Sequence, residues 1–537
     1  MFDTRHKRTS EYIFTCSEPV NCMIYQEALD YLYSFLDSER KLHRTPAEFN
    51  LPRTQALLDA LGAPQRAFKS VIVAGTKGKG STSAMLESIL RQSGYRTGLW
   101  TSPHLHSYRE RIQVDRRMIS QDKLVAVVEM ARPIIEQIDA ETSRSLTTFE
   151  VGFGLALAYF AQQQVDIAVL EVGLGGRYDS ANAVERILSV ISSISYDHMH
   201  ILGKTLTEIA YDKAGILKPG VPAVTIPQHP EAMEQIVRVA GEVGAPLWVA
   251  DGGRGTNDER RMTNDQRPTM NDQRPTTNDG STITDGGRAS EDERRPANDD
   301  GQGMRDATRN TQFAIRTVRV TTDNGPPTTD HEQPTTDNEQ LTYTGPTLTA
   351  LQGVFQRENA RLAVGAALVL RDVGLDISDE AIGQGLAAAQ WPGRMEIVAD
   401  EPPIVLDGAH NGDSAHKLMQ SIGETFPNRR IVLVLGVMRD KDFDRMLPEL
   451  IPAASALVLT RSRHPRALED LEWLAERAEP FLQRSSGRIP VKLTPDIPEA
   501  LIEAHTLARP GDIICVTGTI PVVAAAREAL GLPNERD

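Results

Sequence analysis

Residues 71–82 read VIVAGTKGKGST, an apolar run that passes into glycines and lysines and then into hydroxyl side chains. Glycine lets the backbone take positive φ and bring its N–H groups against an anion, an approach that side chains would block. A helix opened by Ser81, Thr82 and Ser83 would add the partial positive charge of its N-terminus. Gly75, Thr76, Lys77, Gly78, Lys79, Gly80 and Ser81 are therefore candidate contacts for the phosphates of a nucleotide. The strict G-x-x-x-x-G-K-[ST] pattern is not met: Val73 stands at its first glycine, and Gly80 separates Lys79 from Ser81. Taken alone, the stretch also fits a tight strand-to-helix turn with surface lysines.

Three more polar clusters follow apolar runs: TSPHLHSYRERI (101–112), EVGLGGRYDSAN (171–182) and SYDHMHILG (195–203). In an open parallel sheet the loops after the strands' carboxyl ends gather on one edge, where ligands bind. Glu171 ends such a run and can bind Mg²⁺ directly, because that ion takes oxygen ligands and bridges substrate phosphates. Its alternative is a salt bridge to Arg177. Gly173, Gly175 and Gly176 suggest a close backbone approach, with a plain glycine-rich loop as the alternative. Asp197 and His198 read as metal ligands, as an acid–base pair, or as an ordinary hydrogen-bonded pair.

The elements that must position these residues alternate in type. SVIVAG, TGLWTS, DIAVLEVG and LSVISSIS form one strand-like series, and PPIVLDG, RRIVLVLG, ALVLT and DIICVTG form a second after residue 391, with helical patterns between. That alternation marks α/β folds with parallel sheets. At 537 residues the chain holds two or more domains, and the linker QWPGRME (390–396) separates the two series. Residues 252–312 contain no Leu, Val or aromatic residue and cannot build a core. They repeat every seven residues from Asn257, and a second seven-residue repeat starts at Thr321. Asn, Asp, Thr and Pro fill the positions that a coiled coil needs apolar, so a disordered low-complexity insert is expected. FAIRTVRV (313–320) and QLTYTG (340–345) interrupt it and are expected to pair as a hairpin.

A net charge of −15 argues against nonspecific binding to nucleic acid or anionic membranes and favours small soluble partners. Only Cys16, Cys22 and Cys515 occur, with no C-x-x-C spacing, so neither a disulfide framework nor a zinc site is expected. The N-terminal stretch has no apolar core of signal-peptide length, and the longest apolar run, 431–438, is too short to span a bilayer. A cytoplasmic location is the expectation.

GTKGKGST, TSPHL, TTFE, LEVGLGGRYDSAN, YDHMHILG, DKAGILKPG, LQGVFQRENA, WPGRME and LDGAHN follow one another as in the folylpolyglutamate synthase and dihydrofolate synthase family of the Mur ligase superfamily. The resemblance covers residues 23–251 and 341–530. It implies a Mur-ligase-like P-loop ATPase domain with a parallel sheet plus a smaller C-terminal Rossmann-like α/β domain. The corresponding divisions are an extension at 1–22, a central domain at 23–391 interrupted at about 252–340, and a ligase domain at 392–537. It implies an ATP-dependent ligase that adds L-glutamate to dihydropteroate or to reduced folates through an acyl phosphate, with both activities in one monomeric enzyme.

By motif, Ser102, Glu171, His198 and Lys213 match metal-binding positions for two Mg²⁺ ions, with Lys213 carbamylated. Asn359, Arg394 and Asp407 match positions that touch ATP alongside the phosphate turn. Thr147, Thr148, Phe149 and Glu150, with Tyr178, Asp179 and Ser180, match the pterin-side pocket, and His410 resembles a residue on the glutamate side. Lys79, Lys213, His198 and His410 are thereby the candidate catalytic set. Lys77 departs from the family's usual asparagine and is expected to add positive charge beside the phosphates, while Lys79 is expected to be exposed. The alternatives are another Mur-type amino-acid ligase and a degenerate nucleotide-binding protein.

Overall fold

The structure, a computed structural model, describes residues 23–36, 51–142, 146–251, 313–318, 340–343, 349–441, 443–483, 487–533 and 537. The extension at 1–22 and the repeats within 252–312 and 319–339 lie outside the described residues.

The first series builds a sheet of β1 (Lys69–Ala74), β2 (Thr97–Trp100), β3 (Ile112–Val114), β4 (Arg117–Met118), β5 (Ile167–Glu171), β6 (Leu188–Ile191), β7 (Ala223–Thr225), β8 (Leu247–Val249), β9 (Phe313–Val318) and β10 (Gln340–Tyr343). Their order is β10-β9-β8-β7-β6-β1-β5-β2-β3-β4, parallel from β8 through β2 and antiparallel at both edges. The expected hairpin forms: Gln340 pairs with Arg316 and Tyr343 with Phe313. β1 is buried at every position after Lys69 because helices cover both faces of a parallel sheet. One face packs on helices Leu51–Ala60, Gln121–Glu141 and Thr148–Gln162, where Trp100 meets Phe149 and Phe153 edge-on at 5.5 and 5.7 Å. The other packs on helices Lys79–Gln92, Val354–Asp372 and Asp379–Ala388.

The second sheet contains β11 (Glu396–Asp400), β12 (Pro403–Leu406), β13 (Ile431–Leu435), β14 (Ala454–Leu459), β15 (Val491–Leu493) and β16 (Ile513–Thr517), in the order β11-β12-β16-β13-β14-β15. All neighbours are parallel except β11 and β12. β1 is central in its sheet, with β5 on one side and β6 on the other, so their carboxyl ends open a crevice of the kind in which α/β sheets bind ligands. Helix Gly412–Thr425 meets helix Val354–Asp372 across the sheets, where the Val354 N–H donates to Ser421 Oγ at 3.0 Å. His106 Nδ1 lies 3.2 Å from Glu528 Oε1, joining a loop of the first sheet to the last helix of the chain. These contacts hold the two carboxyl edges around one cleft of about 1860 Å³. Among the described residues no helix is long and apolar enough to cross a membrane.

Candidate active site

The phosphate turn leaves β1 at Gly75, whose φ is 144° and where a Cβ would lie 2.0 Å from Ser192 Oγ. The N–H groups of Thr76 and Lys77 donate to the Ser193 carbonyl at 2.8 and 3.1 Å, pinning the turn to the continuation of β6. Gly78, at φ 85°, then caps a helix that begins at Lys79, earlier than the serines and threonine of the motif suggested. The first intrahelical bond runs from Thr82 N–H to Gly78 C=O, so the preceding N–H groups have no intrahelical acceptor. Gly78, Lys79, Gly80 and Ser81 line the cleft, and unpaired N–H groups at a helix start suit an anion.

Two expectations about the lysines need correction. Lys79 is partly buried rather than exposed. Lys77 does not add uncompensated charge, because its ammonium pairs with Asp197 at 2.8 Å. Burial opposes ionisation of Asp197, but Lys77, His198 and His410 outweigh it and hold the carboxyl well below its usual range. Asn411 Nδ2 also donates to Asp197, at 3.3 Å. Asp197 is therefore the centre of a polar network that joins the phosphate turn to the second sheet.

Glu171 ends β5 beside the turn and is buried, which pushes its carboxyl up against the pull of Lys79. It accepts a hydrogen bond from the Ser102 N–H at 3.1 Å. The salt bridge to Arg177 does not form; that guanidinium lies 4.0 Å from the centre of the Tyr211 ring and donates to the Tyr211 carbonyl. A buried carboxylate with no ion pair among the described residues, next to a serine and a phosphate turn, suits an oxygen-seeking divalent ion that draws its other ligands from phosphates and water. Among the described residues no three His, Cys, Asp or Glu side chains converge as a preformed metal cage.

Lys213 closes helix Leu206–Lys213 and is buried. Burial, reinforced by Lys79, lowers its ammonium to about 7 although Asp212 opposes the shift. The three glycines of EVGLGG have steric partners here. A Cβ at Gly173 would lie 2.5 Å from the Phe149 ring, at Gly175 2.3 Å from Asp212 Oδ2, and at Gly176 2.8 Å from the Lys213 carbonyl. The loop is thus the close approach that the glycines suggested, and its partners are Phe149 and the backbone carrying Lys213. His198 sits at φ 47° and is held down to about 4 by burial.

In the pterin-side group, Thr147 caps helix Thr148–Gln162 and forms a capping box with Glu150. Glu150 is also clamped by Arg53, whose Nε and Nη2 donate at 2.9 and 3.0 Å. Asp179 accepts from the N–H groups of Gly173, Leu174 and Ala181 at 3.0, 3.1 and 2.9 Å. Burial nonetheless pushes its carboxyl up to about 6. Both acids thus shape the pocket through protein contacts, leaving Thr148, Phe149, Tyr178 and Ser180 to offer surface to a ligand.

From the second sheet, Asp407 follows β12 and accepts from the N–H groups of Met395 and Ala409, each at 2.8 Å. Burial raises it and Arg394 opposes. Burial holds His410 down to about 3, so it is a neutral imidazole at pH 7, with Nδ1–H donating to the Gly408 carbonyl at 2.9 Å. That leaves Nε2 as an acceptor. Asn359 lies against Gly78, where a Cβ would fall 2.1 Å from its Oδ1.

Every residue assigned through the family motifs lines the one cleft, as do Asp197, Gly173 and Gly175, whereas Gly176 packs behind it on the Lys213 backbone. Lys417, Lys441, Arg461, His464 and Arg466, which sequence reading missed, line it too. The signal was present: GVMRDKD and TRSRHPRA follow the strand-like runs RRIVLVLG and ALVLT, and the strand-end rule applies to the second sheet as well as the first.

The Mur ligase middle domain matches residues 73–242, and the Mur ligase, glutamate ligase domain matches residues 393–520. The chain is 34% identical over 419 residues to the dihydrofolate synthase/folylpolyglutamate synthase of Bacillus subtilis, covering 78% of this chain and 82% of that one. It belongs to the folylpolyglutamate synthase/dihydrofolate synthase family. Solved structures of this family share the fold. Escherichia coli FolC in complex with DHPP and ADP superposes with a TM-score of 0.70 at 26% identity, covering 96% of this chain and 99% of that one. The bifunctional enzyme of Yersinia pestis complexed with AMPPNP and Mn ion gives 0.67 at 26% identity, covering 96% and 100%. The folylpolyglutamate synthase family fold thus accounts for both sheets.

Proposed function

We propose that this folylpolyglutamate synthase family member is an ATP-dependent ligase joining L-glutamate to the carboxylate of dihydropteroate, of a reduced folate, or of both. One observation carries the reading: a single cleft joins the phosphate turn and Glu171 on the first sheet to Arg394, Asp407 and His410 on the second. We take the two sheets as two domains, divided near residue 391, with the insert inside the first. A carboxylate is a poor acyl donor. In the proposed sequence its oxygen attacks the γ-phosphorus, ADP leaves, and the amine of glutamate attacks the acyl phosphate and expels phosphate.

The chain's tasks are positioning and charge neutralisation. The unpaired N–H groups that open the helix after Gly78, with the Lys79 ammonium, would hold the phosphates. Asn359, Arg394 and Asp407 are assigned to the rest of ATP, and Thr147–Glu150 with Tyr178–Ser180 to the pterin side. Ser102 and Glu171 would hold one Mg²⁺, with His198 and Lys213 at a second, and the ions would neutralise phosphate charge during transfer. An amine held near neutrality adds to CO₂ and loses a proton, which would make Lys213 an anionic carbamate and an oxygen ligand. A degenerate protein would have no reason to keep Lys79, Glu171, His198 and Lys213 around one cleft. The test is phosphate release from ATP and Mg²⁺ with dihydropteroate and with tetrahydrofolate. Release that needs both glutamate and a pterin is expected, and release independent of pterin would refute the reading.

A further inference from the structure

Strands β3 and β4 are joined by the turn Asp115–Arg116, with Val114 opposite Arg117. Both turn residues are left-handed, at φ 49° and 68°. A tight hairpin turn of that shape favours glycine at its second position, and a side chain there is strained. The turn is firmly seated all the same. The Asp115 N–H donates to the Thr97 carbonyl at the start of β2 at 2.9 Å, and the Thr97 N–H donates back to Asp115 Oδ1 at 2.9 Å. Thr97 Oγ1 donates in turn to the buried Glu87 of helix Lys79–Gln92 at 2.6 Å. An arginine held in a strained conformation on a rigid turn points to a task for its side chain.

That side chain reaches the linker between the two sheets. Arg116 Nη2 donates to the Gln390 carbonyl, Nη1 donates to Gln113 Oε1 at 3.2 Å, and the guanidinium carbon lies 5.3 Å from the centre of the Trp391 ring. Burial weighs against the charge and Glu87 offsets part of that cost, a setting in which a cation–π contact is stronger than in water. Trp391 carries the contact on to the phosphate turn, because a Cβ at Gly80 would lie 2.7 Å from its Cζ2. Gly80, the residue that breaks the strict phosphate-loop spacing, thus leaves room for the indole over the first turn of its helix. The far end of the linker is fixed within the second sheet: Glu396 accepts from the Gly393 N–H and Asp407 from the Met395 N–H, each at 2.8 Å. Arg394 lies between those two anchors, and Arg116 ties the near end to the first sheet.

We propose that Arg116, which does not itself line the cleft, is a positioning residue for the nucleotide. Acting through Trp391, it holds the 390–394 linker against the phosphate turn so that Gly80 and Arg394 address one ligand. This assignment rests on the ligase reading above. The test compares the full chain with Arg116→Gly, Arg116→Lys, Trp391→Leu and the Arg116→Gly/Trp391→Leu double variant by thermal unfolding, calorimetric ADP binding and steady-state kinetics. Arg116→Gly removes the contact but gives the turn the residue it favours, so Tm is expected to rise or to stay within about 3 °C of wild type. ADP Kd and ATP KM are expected to rise about threefold to thirtyfold, with glutamate and pterin KM within about twofold. Lysine restores part of the loss, since it keeps the charge without the planar fork. In the Trp391→Leu background, Arg116→Gly is expected to add less than about twofold. Wild-type ADP affinity in Arg116→Gly would overturn the assignment, as would effects of the two substitutions that multiply in the double variant. A lowered Tm with ATP, glutamate and pterin KM all weakened together would overturn it too, by making Arg116 a residue of general stability. Should the glycine or the leucine variant not fold, Arg116→Lys carries the comparison: weakened ADP binding at unchanged glutamate KM supports the assignment, and wild-type ADP affinity overturns it. A wild-type chain that binds no ADP would instead remove the ligase reading itself, and this assignment with it.

Discussion

At the scale of single residues, an amine buried without a hydrogen-bonded acid gives up its proton far more readily than one in water. Lys213 is held near 7 by burial, whereas in the unfolded chain it returns to the ordinary lysine value of about 10.4. Between those limits the unfolded state binds one more proton than the native state, so stability must rise with pH. In metal-free, CO₂-free buffer, the unfolding free energy of the wild type relative to Lys213→Met is expected to climb between about pH 7 and pH 10, by up to ~1.4 kcal/mol per pH unit. Parallel pH profiles for the two proteins would show that Lys213 keeps its proton in the fold. The sequence named Lys213 only through the family motif. The Lys213 backbone packs closely on Gly176, a contact between distant chain segments that has no local signature. The pairing of Lys77 with Asp197 was hidden for the same reason, since partners 120 positions apart are brought together only by adjacent strand ends.

At the scale of elements, the phosphate turn combines backbone strain with close packing, and the two can be separated. Gly78 has φ 85° and lies against Asn359, whereas Gly94, at the other end of the same helix, has φ 87° and nothing within 4 Å of its missing Cβ. Alanine at either position incurs left-handed strain of about 1 kcal/mol. Gly78→Ala must also displace Asn359, so it is expected to lower Tm further and to raise ATP KM by tenfold or more, while Gly94→Ala leaves ATP KM unchanged. Equal kinetic effects of the two changes would mean that the turn does not seat the nucleotide. The parallel strands, the hairpin and the strand-end clusters were legible because each follows from local patterns of apolar and turn-forming residues. The roles of Glu150 and Asp179 were not, because their carboxylates are engaged by Arg53 and by loop N–H groups that only the folded chain supplies.

At the scale of the whole molecule, the proposed reaction needs two sheets presenting their carboxyl edges to one cleft, and the chain carries its first repetitive sequence between β8 and β9, away from the central strands. It leaves after β8 and returns as β9, which pairs with β8 from Leu247 opposite Val318. The entropy of closing a loop changes slowly with its length. Deleting residues 254–310 is therefore expected to leave kcat within about twofold, as measured by phosphate release, and a large fall would assign the insert a part in turnover. The most direct measurement follows the carboxylate oxygen. With the pterin substrate's carboxylate labelled with oxygen-18 and ATP unlabelled, the released phosphate is expected to carry one labelled oxygen for each amide formed. Unlabelled phosphate at the same yield of amide would contradict transfer of the γ-phosphoryl group to the acid.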